Sequence, residues 1–338
     1  MKANNFFTLD VPDAVQDKLQ PILNLRRDRS GSICYGSIQN GIVLLLKVAN
    51  VVPFFNGYSC EYDRKWRGLS TNSDIRPTLL PVNTKLIPKV ARHFEELEST
   101  NNAVIRALNA GEEIVNGAVF ISDAQTAGRG QGTNHWFASP GANLTLSMAA
   151  YPDHLSVSRL FALNQLSGLA VADTVKKFLP EGLAAGVRLK WPNDVYVGQQ
   201  KIAGILVQNG LRGSSVSWSV IGIGLNVNEN SFPESLQQSA TSLALLTGHN
   251  FNLQEVLAFL LERLAANYQL ISPDLLRELN ERYHQELYRL NVPARYQLTE
   301  GGENFFAVLR GVNEAGQLRL ELAEGGERVF SLREVRFV

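Results

Sequence analysis

From Ser158 to Leu179 the chain sets Leu160, Leu163, Leu166, Ala170, Val175 and Phe178 at helical spacing. Such a run specifies an amphipathic helix, whose apolar stripe must be covered by a second layer. The material for that layer stands on both sides of it. Ala118–Ser122, Leu144–Tyr151, Val187–Lys190, Ile205–Gln208 and Ser217–Val227 are short and mostly apolar, as buried strands are. A second amphipathic helix is predicted over Leu253–Leu270, with Val256, Phe259, Leu260 and Leu264 on one face, and a shorter one around Pro273–Tyr288. Glu98-Ser99-Thr100-Asn101 precedes Ala103–Ala110, which reads as a capped helix ended by Gly111. Helices interleaved with buried strands predict an α/β core, a sheet with helices packed on it.

The two ends of the chain have a different grain. Ala294–Leu298, Phe305–Arg310, Gln317–Leu322 and Arg328–Ser331 are short strands, separated by turns at Gly301-Gly302, Asn313–Gly316 and Gly325-Gly326. That spacing predicts a small β-barrel. Residues 1–90 are β-rich, with Asn40-Gly41 between apolar runs as a hairpin signal and a turn-rich stretch from Asn56 to Asn83. With 338 residues the chain has room for two or three domains. The expected division is an N-terminal extension over 1–90, a catalytic domain over 91–288 and a C-terminal β-barrel over 289–338. There is no internal repeat and no low-complexity tract.

Composition narrows the partners. Lys plus Arg and Asp plus Glu both number 32, so composition makes no case for nucleic acid or membrane. The longest apolar stretch, Ile42–Phe55, is interrupted by Lys47, Asn50 and Pro53 and is too short to span a bilayer. Cys34 and Cys60 form no C-x-x-C pattern and read as free thiols in a reducing compartment. Met1 to Asn5 leads into a mixed segment unlike a secretory leader, so a cytoplasmic protein is expected.

Four segments carry candidate chemistry. Gly128-Arg129-Gly130-Gln131-Gly132 follows a strand and brings backbone amides and a guanidinium together, as an anion site needs. It has no Lys-Ser/Thr ending and opens no helix, so it matches neither a P-loop nor a dinucleotide fingerprint. By itself it also fits a plain glycine-rich connection. Lys190-Trp191-Pro192-Asn193-Asp194 sets a cation, an amide and a carboxylate at a strand end; it fits phosphate and Mg²⁺ binding, or a surface ion pair. Lys201-Ile202-Ala203-Gly204-Ile205-Leu206 starts a buried strand with a lysine, and Ile223-Gly224-Leu225-Asn226-Val227 carries an Asn within another.

In this order and spacing the segments resemble the biotin–protein ligase family, over roughly residues 93–338. The matching pieces are Ser99-Thr100-Asn101, Gln125-Thr126-Ala127-Gly128-Arg129-Gly130, Lys190–Asp194, Lys201–Leu206, Gly224-Leu225-Asn226 and Thr241-Ser242-Leu243. The resemblance implies an α+β fold, a class II synthetase-like mixed sheet with helices, a small C-terminal SH3-like β-barrel and a β-rich N-terminal extension. It implies that biotin is held by Ser99, Thr100, Asn101, Gln125, Arg129, Gly130, Gln131, Lys201 and Gly204. It sets Trp136, Lys190, Asn193, Asp194 and Asn226 toward the nucleotide, with Asn226 near the adenine and Asp194 as candidate metal ligand. Arg129, Lys190 and Lys201 are the implied catalytic cations. This chain departs from many members at Gln131, where they carry a second Arg; Gln hydrogen-bonds but brings no fixed charge.

The implied reaction uses ATP and Mg²⁺ to activate biotin as biotinyl-5′-AMP. The acyl group then passes to a lysine of a biotin carboxyl carrier protein or domain. No enzyme nucleophile is needed, and His93, His135, His154, His249 and His284 are scattered without metal-ligand spacing. A lipoate or octanoate transferase of related fold and a biotin-sensing regulator are the alternatives. Residues 1–90 show at most one helix, about Pro12–Leu25 and interrupted by Pro21, so no helix-turn-helix and no DNA partner are expected. A homodimer stays open.

Overall fold

The structure, a computed structural model, describes residues 25–27, 33–35, 86–132, 134–213 and 215–338. The helix expected from Pro12, the Asn40-Gly41 hairpin, the Ile42–Phe55 stretch and the side chains of Cys34 and Cys60 lie outside the described residues. The chain divides into two compact units, Met1–Pro77 and Thr78–Val338. In the first, β1 (Leu25–Arg27) and β2 (Ile33–Tyr35) pair antiparallel.

The second unit is built on a seven-stranded mixed sheet. Its strands are β3 (Lys89–Leu97), β4 (Ala118–Gln125), β5 (Leu144–Ala150), β6 (Val187–Lys190), β7 (Asp194–Val197), β8 (Gln200–Arg212) and β9 (Ser215–Leu225). The spatial order is β3-β4-β5-β9-β8-β7-β6; β3 and β4 are parallel and the remaining pairs antiparallel. The helices are α1 (Thr100–Asn109), α2 (Phe161–Phe178), α3 (Glu181–Ala184), α4 (Leu243–Thr247), α5 (Leu253–Tyr268) and α6 (Leu276–Gln285). The helices predicted between Ala103 and Tyr288 are therefore present. Among the described residues none is long and apolar enough to cross a membrane.

Alternation along the central strands gives the sheet two unlike faces. On one face Leu144, Leu146 and Met148 of β5 stand beside Leu225, Ile223 and Ile221 of β9 and Ala203, Ile205 and Val207 of β8. The buried stripe of α2, with Leu163, Leu166, Ala170 and Val175, joins the same apolar core. The other face carries Thr145 and Ser147 of β5, Gly224 and Gly222 of β9, and Gly204 and Leu206 of β8. Helix α1 covers only one end of this face, where Val104 and Ala107 pack with Phe120, Ala149 and Val220. Beyond α1 the face stays open, and the site lies there.

The small β domain predicted for the tail is a five-stranded antiparallel sheet of order β13-β12-β11-β10-β14. Its strands are β10 (Pro293–Leu298), β11 (Asn304–Val312), β12 (Leu318–Leu322), β13 (Glu327–Phe330) and β14 (Val335–Phe337). Tyr296, Leu309, Leu318, Leu320 and Phe330 are its buried centre. The sheet is joined to the core at the segment after β6. The Trp191 indole N–H donates to Gly316 O at 2.8 Å. Gly316 has φ +80°, and a Cβ there would stand 2.2 Å from Phe161 Cγ, so the turn sits flush on the core only as glycine.

Two substitutions test this packing. Leu166→Ala empties a fully buried position and is expected to cost about 2–5 kcal/mol of unfolding free energy. Trp191→Phe keeps a ring but leaves the Gly316 carbonyl without its donor, for an expected loss of about 1–3 kcal/mol. Urea unfolding measures both. A Trp191→Phe protein as stable as the parent would mean that water replaces the indole.

Candidate active site

Strand register lays a row of residues straight across the open face. Thr145 of β5 pairs with Gly224 of β9, Gly224 with Gly204 of β8, Gly204 with Asp194 of β7, and Asp194 with Lys190 of β6. Two glycines lie in the middle of the row, with polar side chains on both flanks. The missing side chains leave a trough in the sheet. A cavity of about 170 Å³ stands over it, lined among others by Ser99, Thr100, Gln125, Arg129, Trp136, Thr145, Asp194 and Lys201.

The start of α1 forms one end. Ser99 is extended at the N-cap position, but its side chain makes no capping bond, so the hydroxyl remains available to the cavity. Gln125 at the end of β4 accepts from the Thr100 backbone N–H through Oε1 at 2.7 Å, which leaves its amide N–H groups to donate. Ser147 Oγ donates to Asn101 Oδ1 at 2.5 Å and stands 2.7 Å from Thr100 Oγ1. The Asn101 amide donates to Leu206 O at 3.2 Å and to Gln208 Oε1 at 2.9 Å. Asn101 is thus engaged at both ends and lies against Gly222, where a Cβ would come within 2.2 Å of its Oδ1. Asn101 lines the cavity as a brace for the sheet, with both its donors already committed to protein.

Residues 128–136 form the cavity's cover. Trp136 N–H donates to Gly128 O at 2.9 Å and Gly130 N–H to Asn134 O at 2.8 Å, so the segment doubles back on itself. A Cβ on Gly128 would lie 2.6 Å from Trp136 O, which requires glycine there. The Trp136 indole lies on the two glycines of the row; a Cβ would come within 2.3 Å of it from Gly224 and 3.1 Å from Gly204. The Trp136 Nε1 atom is buried and has no hydrogen-bond partner among the described residues. The segment is fastened at its far end by Glu229, a buried carboxylate. Its oxygens accept from Ser139 N and Oγ at 2.9 and 2.8 Å and from Asn143 Nδ2 at 2.8 Å. The Arg333 guanidinium of the C-terminal sheet lies over Gly132, 3.3 Å from where a Cβ would stand.

The other end is charged. Lys201 Nζ is 2.6 Å from Asp194 Oδ1 and 5.6 Å from the Trp136 ring centroid. That oxygen is buried, with the Lys201 ammonium at contact. Asn193 fixes the turn by donating to Ile205 O at 2.7 Å while its own carbonyl accepts from Ile205 N–H at 2.8 Å. Arg129 and Lys201 outnumber the one lining carboxylate, Asp194, so the cavity favours anions. Among the described residues no three His, Cys, Asp or Glu side chains gather as a metal site.

Twelve residues singled out in the sequence line this cavity: Ser99, Thr100, Asn101, Gln125, Arg129, Gly130, Gln131, Trp136, Asn193, Asp194, Lys201 and Gly204. Lys190 and Asn226 do not. Lys190 lines a shallow neighbouring depression with Asn164 and Tyr283, and shares Pro192, Asn193 and Asp194 with the main cavity. Asn226 is buried below; its amide donates to Thr241 O at 3.0 Å, and its Oδ1 has no partner among the described residues. Sequence reading missed Thr145, Ser147, Gly222, Glu229 and Arg333. The available signal was alternation: Thr and Ser at every second place in Leu144–Met148, and Gly at every second place in Ile221–Leu225.

The geometry can be set beside known proteins. The family model described as "Biotin/lipoate A/B protein ligase family" matches residues 94–226. The chain is 26% identical over 268 residues to the bifunctional ligase/repressor BirA of Bacillus subtilis, covering 78% of each chain. It is 30% identical over 234 residues to the biotin–[acetyl-CoA-carboxylase] ligase of Mycobacterium tuberculosis, covering 68% of this chain and 82% of that one. It is similar to the solved structure of the biotin protein ligase from Aquifex aeolicus in complex with biotin and ATP. That match has a TM-score of 0.59 and 25% identity, over 73% of this chain and 98% of the other. With the cavity's lining residues and the relatives in agreement, the chain belongs to the biotin–protein ligase family.

Proposed function

We propose that this chain joins biotin to a lysine of a carrier protein by way of biotinyl-5′-AMP. The observation that carries the reading is the polarity of the cavity. A cleft with uncharged donors at one end and a charged pair at the other suits a ligand that is a neutral ring at one end and a carboxylate at the other. The ureido ring faces the Gln125 amide and the Ser99 hydroxyl, and the tail runs along the cavity toward Lys201.

Adenylation brings two anions together, the biotin carboxylate and the α-phosphate of ATP. A carboxylate oxygen attacks phosphorus, the P–O bond to pyrophosphate breaks, and a mixed anhydride forms. Lys201 and Arg129 offset the repulsion and the charge that develops. Asp194 is the residue that would hold Mg²⁺, which would neutralise phosphate charge. Asn226 offers a buried free acceptor of the kind an adenine amino group satisfies. In the second step an amine of the carrier attacks the acyl carbon, AMP leaves and an amide forms. The anhydride hydrolyses in water, so the 128–136 segment, with the Trp136 indole over the row, has the task of excluding it. Residues 91–288 are assigned to this chemistry, 289–338 to a supporting β domain and 1–90 to an extension. The same reading places the protein in the cytoplasm.

Biotin-dependent exchange of pyrophosphate into ATP tests the first step; the chain is expected to exchange with biotin and to fail with lipoate. The reverse preference would make it a lipoate enzyme. Lys201→Ala is expected to lower exchange by roughly 10²–10³ while the protein stays folded. Near-normal exchange would remove Lys201 from the chemistry. Arg129→Gly is expected to fold normally and release the adenylate, so that bystander lysines are biotinylated. A variant that still modifies only its carrier would contradict the role of the loop.

A further inference from the structure

The segment Lys190–Asp194 faces two ways. Asn193 and Asp194 turn toward the cavity, while Lys190 and Trp191 turn toward the C-terminal sheet. Lys190 Nζ donates a hydrogen bond to Tyr196 Oη at 3.1 Å. It also stands 4.6, 6.0 and 5.4 Å from the ring centroids of Tyr196, Tyr288 and Phe337. The three rings come from three elements: β7, the connection after α6, and β14. They touch one another, at 5.7 Å for Tyr196 and Tyr288 and 6.4 Å for Tyr288 and Phe337. Phe337 is set in turn against the buried Tyr296 at 5.2 Å, in the centre of the C-terminal sheet. No carboxylate forms an ion pair with Lys190 among the described residues. An ammonium withdrawn from water without a counter-ion at contact needs other sources of attraction, and the Tyr196 hydroxyl and the ring faces supply them. Burial holds the Lys190 amine below the usual lysine range, and the Asp194 charge works in the opposite direction.

We propose that Phe337 is a positioning residue for the nucleotide end of the site. With Tyr196 and Tyr288 it cages the Lys190 ammonium, and the C-terminal sheet thereby fixes a positive charge at the end of the glycine row, beside Asp194. Lys190 then acts as a fixed charge in the wall, and Phe337 acts through Lys190. The functional half of this inference rests on the adenylation reading given above.

The cage has a signature that needs no substrate. Rings around the ammonium shift the Lys190 ε-methylene resonance upfield in protein labelled with ¹³C-lysine, and Lys190→Arg identifies the peak by its loss. Phe337→Leu keeps the apolar volume but removes the ring face; Phe337→Tyr keeps the face. In the leucine variant the Lys190 peak is expected to move downfield. The KM for ATP in biotin-dependent pyrophosphate exchange is expected to rise on the order of fivefold, the loss of one cation–π contact, with KM for biotin within about twofold. The tyrosine variant is expected to restore both. A Lys190 resonance unshifted in the parent, or unmoved by Phe337→Leu, would overturn the cage. A peak that moves while both KM values stay put, or rise together, would overturn the link to the nucleotide end. A parent protein that shows the cage but exchanges no pyrophosphate would overturn the adenylation reading instead, and with it that link.

Discussion

The site depends on one cross-strand pair, Gly204 against Gly224. Side chains at these places would fill the trough and strike the Trp136 indole. Without them, the indole lies against the sheet and becomes a wall of the cavity beside it. The opposite face of the same strands carries Ile221, Ile223, Leu225, Ala203 and Ile205, closed under α2. The strands can therefore give up side chains on one face because burial on the other holds them in register. Each buried aliphatic chain contributes about 1.5–3 kcal/mol, far more than the roughly 0.5–1 kcal/mol that a strand glycine costs. Stability and site are thus divided between the two faces of one layer.

The elements above the floor are braced from a distance. Asn101 ties α1 to β8, and Glu229 ties the end of the covering segment to the turn beyond β9. The C-terminal sheet reaches the same region through Trp191, Lys190 and Arg333. Each of these groups touches a cavity residue or its immediate neighbour. The arrangement leaves this covering segment attached at its ends, with Gly132, Asn134 and His135 exposed between them.

Much of this was legible in the sequence because the signals were local. The helical stripe of Ser158–Leu179 and the apolar runs of β4, β5 and β9 announce themselves within a single window. Strand β3 did not, because it is an edge strand whose Lys89, Arg92, His93, Glu95 and Glu96 lie at the surface, and charged edges lack apolar alternation. Strand β7 begins inside the Lys190–Asp194 motif and β14 spans only three residues, so neither offered a window of its own. The motifs identified most of the cavity lining by residue type. They could not reveal that Asn101 is fully engaged with Ser147, Leu206 and Gln208, or that Lys190 is surrounded by rings from Tyr288 and Phe337. Those facts rest on partners about 45 to 150 positions away, whose proximity is a product of the fold.

The most direct test of the account is a crystal structure of the protein grown with biotin. The account predicts density for biotin in this cavity, with its ureido oxygen at the Gln125 amide and its carboxylate toward Lys201. Biotin bound in the reverse direction, or outside the cavity, would contradict it.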